Sequence, residues 1–433
     1  MSRQGFRFVH ATCLCLDEPL VGTGTLSRED RELAEDATFL TWDGIVQTCL
    51  ASQCEFLLLT GNSFDASVNS LRARVALERG FEKLAAHEIS VFIAPGSRDP
   101  AGAWRRRFSL PPNVTVLADE DQDPVAVVRD QRTIASVYLV ATAQSDEANW
   151  NASGPAALQR NQGPFQIGLV PAGTPIHWES GRPVPIQQTG VTSTAAALVK
   201  AAIEHQVDYL ALGEGVPRTE HFASGIAHDP GCAQSLSAAI SGSRGCSVVN
   251  VATDRTVTID PVAVAPIRWE TVQLNVDRST NWNDLAERMA LAMMERIADN
   301  DERLWIATWR LTGEGTVFES LADRSAQDKL WAQVEAELEG ETEVRRAHRL
   351  ERVVFRDPEA QEPDERPATG LLADFEELLD TDPDGHFELV QRELLSRDWM
   401  SLPEMAPLRQ AVQRLSRERV QRRAKSLAAH WLD

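Results

Sequence analysis

The sequence has few cysteines and no long apolar run. Its six cysteines are scattered through 433 residues, too few and too dispersed for the disulfide framework of a small secreted scaffold. No run reaches the roughly 18 apolar residues of a membrane span, and the N-terminus lacks the apolar core of a signal peptide. We therefore expect an unprocessed cytoplasmic protein with reduced cysteines and no membrane contact.

Positive charge is also scarce. Lysine and arginine total 43, against 64 aspartates and glutamates, which gives a net charge of -21. This balance argues against a chain that coats nucleic acid or anionic membrane through bulk charge, but it leaves room for a local basic patch. The hydrophobic fraction of 43% and the charged fraction of 25% are those of an ordinary globular protein, which excludes disorder for most of the chain.

Short apolar runs alternate with helical patterns over residues 1–265, which predicts stacked layers of strands and helices. One helix is expected to begin near Trp42 and another after an N-cap at Asn69. Residues 266–356 read strand, helix, strand, helix, strand, which predicts a small separate α+β domain. Residues 357–433 are predicted to form an acidic linker followed, from about Leu408, by basic amphipathic helices.

Polar loops follow three of the predicted strands. They read HATCLCLD from His10, TGNSFD from Thr60 and PGSRD from Pro95. Polar loops at the C-terminal ends of strands are where α/β folds place their sites, so these loops form the candidate site.

These loops and their separations resemble the calcineurin-like metallophosphoesterases, and most closely the SbcD-type DNA-repair exonuclease subunits. The resemblance covers about residues 7–266 and is carried by FVHATCLCLDEPL from Phe8, FLLLTGNSFDA from Phe56, VFIAPGSRDPAG from Val91, YLALGEGV from Tyr209 and HDPGCAQS from His228. It implies a four-layer α/β/β/α sandwich, an accessory α+β domain and a helical C-terminal extension. Members of the family bind two divalent metals, typically manganese, which hold a phosphodiester and deliver hydroxide to its phosphorus.

Carried over position by position, the family's metal ligands are substituted in this chain. The degenerate positions are Cys13, Cys15, Asn62, Ser97, Arg98, Pro171, Glu214 and Val216. A bridging carboxylate offsets the repulsion between two dications, and Asn62 cannot supply that charge. Pro171 and Val216 have no ligating side chain, while Arg98 adds a permanent positive charge that could contact an anion or lie in solvent. The resemblance therefore implies a lost two-metal site and no resident cofactor.

Two alternatives keep a metal at the same loops. In one, the thiolates of Cys13 and Cys15 bind zinc, with Glu214 completing the site. In the other, nearby residues rebuild a two-metal manganese site and restore exonuclease or phosphodiesterase activity. The candidate ligands for that site are His10, Asp17, Asp65, Asp99 and Glu214. Without a metal, His10 is a structural neighbour of the former site, and the isolated His228 is either a surface histidine or a satisfied one.

Basic segments provide the remaining predictions. Arg105, Arg106 and Arg107, flanked by Trp104 and Phe108, suit phosphate contact and base stacking, although a solvated loop has the same composition. In the SbcD family the segment after the accessory domain packs against the coiled-coil base of an SMC-like ATPase, and the catalytic domains commonly dimerise. We predict a non-catalytic SbcD-like subunit that binds DNA ends or such an ATPase. The alternatives are an active exonuclease with rebuilt ligands and an assembly protein without DNA contact.

Overall fold

The computed structural model describes residues 5–117, 123–140, 163–170, 207–222, 225–299, 301–340 and 344–353. It also describes short strands between 177 and 192 and scattered positions from 375 to 420 that include one helix. The chain divides into two compact units, Met1–Ile186 with Ser193–Phe355, and Gln187–Thr192 with Arg356–Asp433. No described helix is both long enough and apolar enough to cross a bilayer.

The strands are named in chain order. They are β1 (Phe6–Ala11), β2 (Phe56–Thr60), β3 (Ser90–Ala94), β4 (Val114–Val116), β5 (Val125–Arg129), β6 (Arg132–Leu139), β7 (Phe165–Leu169), β8 (His177–Glu179), β9 (Arg182–Val184), β10 (Gln187–Gln188), β11 (Val191–Thr192), β12 (Tyr209–Ala211), β13 (Arg218–Phe222), β14 (Gly225–Asp229), β15 (Gly245–Val251), β16 (Val257–Ala263), β17 (Ile267–Val276), β18 (Leu304–Gly313) and β19 (Arg345–Val353). The helices are α1 (Arg28–Ser52), α2 (Leu71–Ala85), α3 (Ala101–Arg107), α4 (Trp282–Met294), α5 (Thr316–Ser320), α6 (Arg324–Glu337) and α7 (Pro383–Leu395).

Two six-stranded sheets form the sandwich. The first has the order β16-β15-β1-β2-β3-β4 and the second the order β13-β14-β12-β7-β6-β5. Strands β1 to β4 are parallel neighbours, while β15 and β16 run antiparallel at one edge, as the close spacing of those strands predicts. The apolar run FLLLT of β2 is buried along its whole length because both faces of this sheet are covered.

Aromatic side chains fill the space between the two sheets. The rings of Phe8 and Phe56 stack with their centroids 4.9 Å apart, and Tyr209 of the second sheet meets Phe8 edge to face. Helices α1, α2 and α3 pack on the other face of the first sheet. The α/β sandwich is therefore confirmed, and the outer layer of helices expected on the second sheet lies outside the described residues.

The first two helices begin at serine caps. The Ser27 side chain accepts a hydrogen bond from the backbone of Asp30, and Ser70 accepts one from Ala73. The predicted start near Trp42 and the predicted Asn69 cap are therefore wrong. The first turns of α1 are polar and show no apolar period, so the apolar stripe of the sequence indicates only the buried second half of that helix.

A third sheet follows, with the order β17-β18-β19 and helices α4 and α6 packed on it. Its element order is the one predicted for residues 266–356. All three strands are parallel, so the unit is built from two successive strand–helix–strand crossovers. The boundaries of the three predicted domains stay predictions, and the basic helices predicted beyond residue 408 fall outside the described residues apart from isolated positions.

Candidate functional site

Five loops meet at the C-terminal ends of β1, β2, β3, β12 and β14. We call them loop 1 (residues 12–27), loop 2 (61–70), loop 3 (95–100), loop 4 (212–217) and loop 5 (230–244). Loops 1 and 2 run side by side, because the backbone N–H groups of Cys13 and Cys15 donate to the carbonyls of Gly61 and Asn62 at 3.1 and 3.0 Å. Cys13, Cys15 and Asn62 all have φ between 46° and 48°, which places this backbone in the left-handed region.

Asp99 holds loops 2 and 3 together. Its buried carboxylate accepts hydrogen bonds from the backbone N–H groups of Asn62, Ser63 and Gly96 at 2.8, 2.9 and 2.7 Å. Burial raises the pKa of Asp99, while the three hydrogen bonds oppose that shift. The carboxylate therefore accepts hydrogen bonds from the backbones of loops 2 and 3, although the sequence suggests it as an alternative metal ligand.

Asp229, at the end of β14, holds loops 4 and 5 together in the same way. It accepts hydrogen bonds from the backbone N–H groups of Glu214, Gly215 and Gly231 at 2.7, 3.0 and 2.8 Å. Burial raises the pKa of Asp229 to about 7 against the opposing effect of these bonds. The sequence-based interpretation assigned it no role.

Arg98 makes two ion pairs inside the site. Its guanidinium donates to Glu18 of loop 1 at 2.6 Å and to Asp65 of loop 2 at 2.8 Å. Hydrogen bonds from Ser67 and Arg98 hold the pKa of Asp65 well below its usual range. The anion that contacts Arg98 is thus supplied by the chain itself, and three loops are joined by one side chain.

The other two candidate carboxylates also have partners in the protein. Asp17 accepts a short hydrogen bond from the Ser70 hydroxyl at the start of α2 and lies 3.7 Å from the Arg72 guanidinium. Glu214 lies 3.6 Å from the guanidinium of Arg218. Of the other positions at which the sequence departs from the family's ligand pattern, Ser97 and Val216 are exposed and Pro171 lies outside the described residues.

These side chains do not fit a metal centre. Among the residues that the structure describes, no group of three His, Cys, Asp or Glu side chains is arranged to hold an ion. The carboxylates proposed as rebuilt ligands point to backbone N–H groups, to Ser70 and to arginines, and a divalent cation needs several oxygen ligands around one centre. The zinc alternative meets the same difficulty, because Cys13 lies against the thiol of Cys232 while Cys15 lies beside Glu18 and Arg98.

Two buried histidines, each hydrogen bonded to hydroxyl groups, lie beneath the loops. The imidazole of His10 is hydrogen bonded to the Tyr209 hydroxyl at 3.0 Å and to the Thr60 hydroxyl at 2.9 Å. His228 is held in the same way by Thr219 and Ser247, at 2.8 and 2.9 Å. His10 therefore has partners within the fold, as expected of a structural neighbour, and His228 has a partner for each ring nitrogen.

The arginines of α3 face outward while their aromatic neighbours face inward. Arg105 and Arg106 are exposed, but Trp104 is fully buried and packs with Phe108 and Phe64 in the core beneath α3. Trp104 therefore cannot stack on a base. A phosphate contact at these arginines stays a prediction.

Comparison with known proteins gives one relative with a curated description. Over 165 residues the chain is 28% identical to YhaO of Bacillus subtilis (strain 168), described as an uncharacterized metallophosphoesterase. Over that stretch the chain is similar to a metallophosphoesterase. The match spans 38% of this chain and 40% of the relative, and no family model matches.

Similar solved structures share little sequence with this chain. They include TT1561 of Thermus thermophilus (12% identity, TM-score 0.33, 59% of this chain and 98% of that chain) and a dimetal phosphatase from Danio rerio (10%, 0.33, 56% and 92%). Vps29 of Chaetomium thermophilum is a third (13%, 0.23, 60% and 100%). At TM-scores below 0.5, these similarities add nothing to the assignment.

Proposed function

We propose that this chain is a metallophosphoesterase-like subunit of the SbcD type that binds its target without hydrolysing a phosphodiester. One observation carries the proposal: the charged side chains of the candidate site bind one another and the loop backbones. Arg98 stands where the resemblance expects the family's histidine, and its guanidinium is held by Glu18 and Asp65. Side chains of the protein itself thereby join three loops.

The same contacts argue against a rebuilt two-metal centre. A catalytic pair of cations needs carboxylates or imidazoles that converge on two neighbouring points. Asp99 would have to give up three backbone hydrogen bonds to reach such a point, and Asp65 would have to leave Arg98. Both moves would leave polar or charged groups without partners.

DNA ends are the target that we propose first. The exposed Arg105 and Arg106 lie in the last turn of α3, the helix that follows loop 3, and they form a local cluster of positive charge in a chain of net negative charge. An SMC-like ATPase that binds the C-terminal extension and a homodimer through the sandwich are further parts of this proposal, and they follow from the SbcD resemblance. A cytoplasmic location belongs to it too, and six free cysteines support it.

A hydrolysis assay separates the proposal from the active alternative. An end-labelled linear duplex is incubated with the full chain in manganese, beside an Asn62→Ala, Glu214→Ala double variant that exposes contaminating nuclease. We expect no cleavage above that of the variant. Cleavage that the variant abolishes, with its thermal melting unchanged, would contradict the proposal and establish a rebuilt exonuclease site.

A binding assay tests the target. Fluorescence anisotropy compares a blunt duplex with a dumbbell of the same sequence whose ends are closed by hairpins. We expect tighter binding to the open ends. The Arg105→Glu, Arg106→Glu variant should lose about tenfold or more in affinity and part of its salt dependence. The charge-matched Arg28→Glu, Arg31→Glu variant of α1 should bind as the parent does. Equal losses of affinity in the two variants would mean that the change in net charge, and not a contact at Arg105 and Arg106, weakens binding.

A further inference from the structure

Two thiols meet in the candidate site, although 218 residues separate them in the sequence. A Cβ atom built on Gly215 would lie 2.7 Å from the Sγ of Cys232 and 2.9 Å from the Sγ of Cys13. Both sulfur atoms therefore lie within 3 Å of one point above the Gly215 backbone. Because glycine has no side chain, the space between loops 1, 4 and 5 is left to the two thiols.

The backbones that carry these thiols are already joined. Thr12 and Cys232 form a parallel bridge, and the N–H of Ala233 donates to the carbonyl of Thr12 at 3.1 Å. The N–H of Cys232 donates to the carbonyl of Gly215 at 3.0 Å. A disulfide needs neighbouring backbones and side chains that can turn toward each other, and the loops supply the first condition without any movement.

The two cysteines differ in access to solvent. Cys13 is 5% exposed, whereas Cys232 is partly exposed. A hydrogen bond with Cys232, together with burial, raises the pKa of the Cys13 thiol far above its usual value. A reagent from solvent therefore reacts first with Cys232. The buried Cys13 is then the second thiol of the pair.

We propose that Cys13 and Cys232 form a site of oxidative modification, at which a peroxide converts the two thiols into a reversible disulfide. The Cys232 thiolate attacks one peroxide oxygen, an S–O bond forms, the O–O bond breaks, and the departing hydroxide takes a proton to become water. The Cys13 sulfur then attacks the sulfenic sulfur, an S–S bond forms, the S–O bond breaks, and the hydroxyl leaves as a second water with the Cys13 proton. One peroxide is reduced and two thiols are oxidised.

This inference does not depend on the proposed function, since it rests on the position of two sulfur atoms and on no DNA or ATPase contact. The chain carries its own comparison group. Cys49, Cys54 and Cys246 are also close to one another, but all three are buried in the core beneath α1. If closeness of the thiols were sufficient, a peroxide would oxidise that cluster as well. If exposure to solvent is also required, Cys232 is the cysteine that reacts first.

The test is a peptide map of the folded full chain after exposure to hydrogen peroxide, alkylation of the remaining thiols and digestion without reductant. Trypsin cuts after Arg7 and Arg28, and after Arg218 and Arg244, so Cys13 and Cys232 fall in the peptides 8–28 and 219–244. We expect these two peptides to be joined, and dithiothreitol to separate them. Because Cys15 shares the first peptide, the map is repeated on Cys13→Ser and Cys15→Ser, and only Cys13→Ser should lose the link.

One further variant and one control make the result decisive. Gly215→Ala keeps both thiols but places a methyl group between them, so the yield of joined peptide should fall severalfold. In 6 M guanidinium chloride the selective link should be replaced by mixed pairings, on the order of chance, because proximity comes from the fold. The proposal is overturned if the folded chain yields no joined peptide, if Cys15→Ser rather than Cys13→Ser abolishes it, or if Cys232 links only separate molecules.

Discussion

Asp99 and Asp229 hold the loops of the two sheets by the same arrangement. Each buried carboxylate accepts three backbone N–H hydrogen bonds, one from a glycine of its own loop and two from the loop that follows a neighbouring strand. Asp99 follows β3 of the first sheet and Asp229 ends β14 of the second. In each sheet, therefore, a buried carboxylate at the candidate site fixes the loops by accepting hydrogen bonds from their backbone. This role needs no cation.

The substitution Asp99→Asn should destabilise the fold. An amide has one oxygen, so its NH₂ group would face one or more of the three donors and leave buried N–H groups without an acceptor. We expect a loss of about 2–3 kcal/mol in the free energy of unfolding, measured by urea titration. The control is Asp43→Asn, which removes only a long contact to Lys83 on an exposed surface and should change stability by less than about 0.5 kcal/mol. Equal stability of the two variants would show that Asp99 does not hold the loops.

Gly80 of α2 is required by the neighbouring helix. A Cβ atom there would lie 2.5 to 2.6 Å from ring atoms of Trp42 in α1. Although alanine favours a helix, we expect Gly80→Ala to cost about 1–3 kcal/mol, because a rigid indole in a packed core cannot move aside. Gly102→Ala in α3 is the matched substitution, since its Cβ would meet only the end of the Arg106 side chain at 3.0 Å, and it should be neutral within about 0.5 kcal/mol. Chemical denaturation compares the two, and a stabilised Gly80→Ala would refute the close approach.

Much of the fold can be read from the sequence because its strands are strongly apolar. FLLLT predicts β2, and the close spacing of later strands predicts antiparallel pairs, both of which the structure contains. The strand β13 was not predicted, because its sequence RTEHF is polar and its residues are only alternately half-buried. Such a strand is defined by its hydrogen bonds to β14, which no local pattern reveals.

The site was harder to predict than the fold. The sequence singles out loops that the structure brings together and includes Asp99 among its candidate residues, but it cannot say which atoms that carboxylate faces. The pair of Cys13 and Cys232 was missed for the same reason, since contacts so distant along the chain depend on the packing of two sheets. One available signal was that Cys232 lies in a segment, HDPGCAQS, that already carried the resemblance.

The Arg98 ion pairs should contribute modestly to stability. Glu18 is mostly buried, but the Arg98 side chain is 40% exposed, so water and salt weaken the attraction. A double-mutant cycle of Arg98→Met and Glu18→Gln should give a coupling energy of about 0.5–1 kcal/mol that falls in 1 M salt. Urea unfolding of the four proteins measures it. A coupling indistinguishable from zero at low salt would mean that Arg98 does not join loops 1 and 3.

His228 should make the fold sensitive to acid. Burial lowers the pKa of His228 to about 4, whereas an unfolded histidine titrates near 6.5. Between these values the unfolded chain binds the proton and the folded chain does not, so the contribution of His228 is complete at neutral pH and is lost as the pH falls through this window. His10, whose pKa burial also lowers, acts in the same direction.

The raised pKa of Asp229 acts in the opposite direction, so the wild-type profile alone cannot isolate the histidine. The useful quantity is the difference in unfolding free energy between wild type and His228→Gln, because Asp229 and His10 are present in both. This difference should fall by up to about 1.4 kcal/mol per pH unit as the pH is lowered from 6.5 toward 4. Urea titrations at half-unit steps measure it. A difference that stays constant over that range would mean that His228 titrates as it does in the unfolded chain.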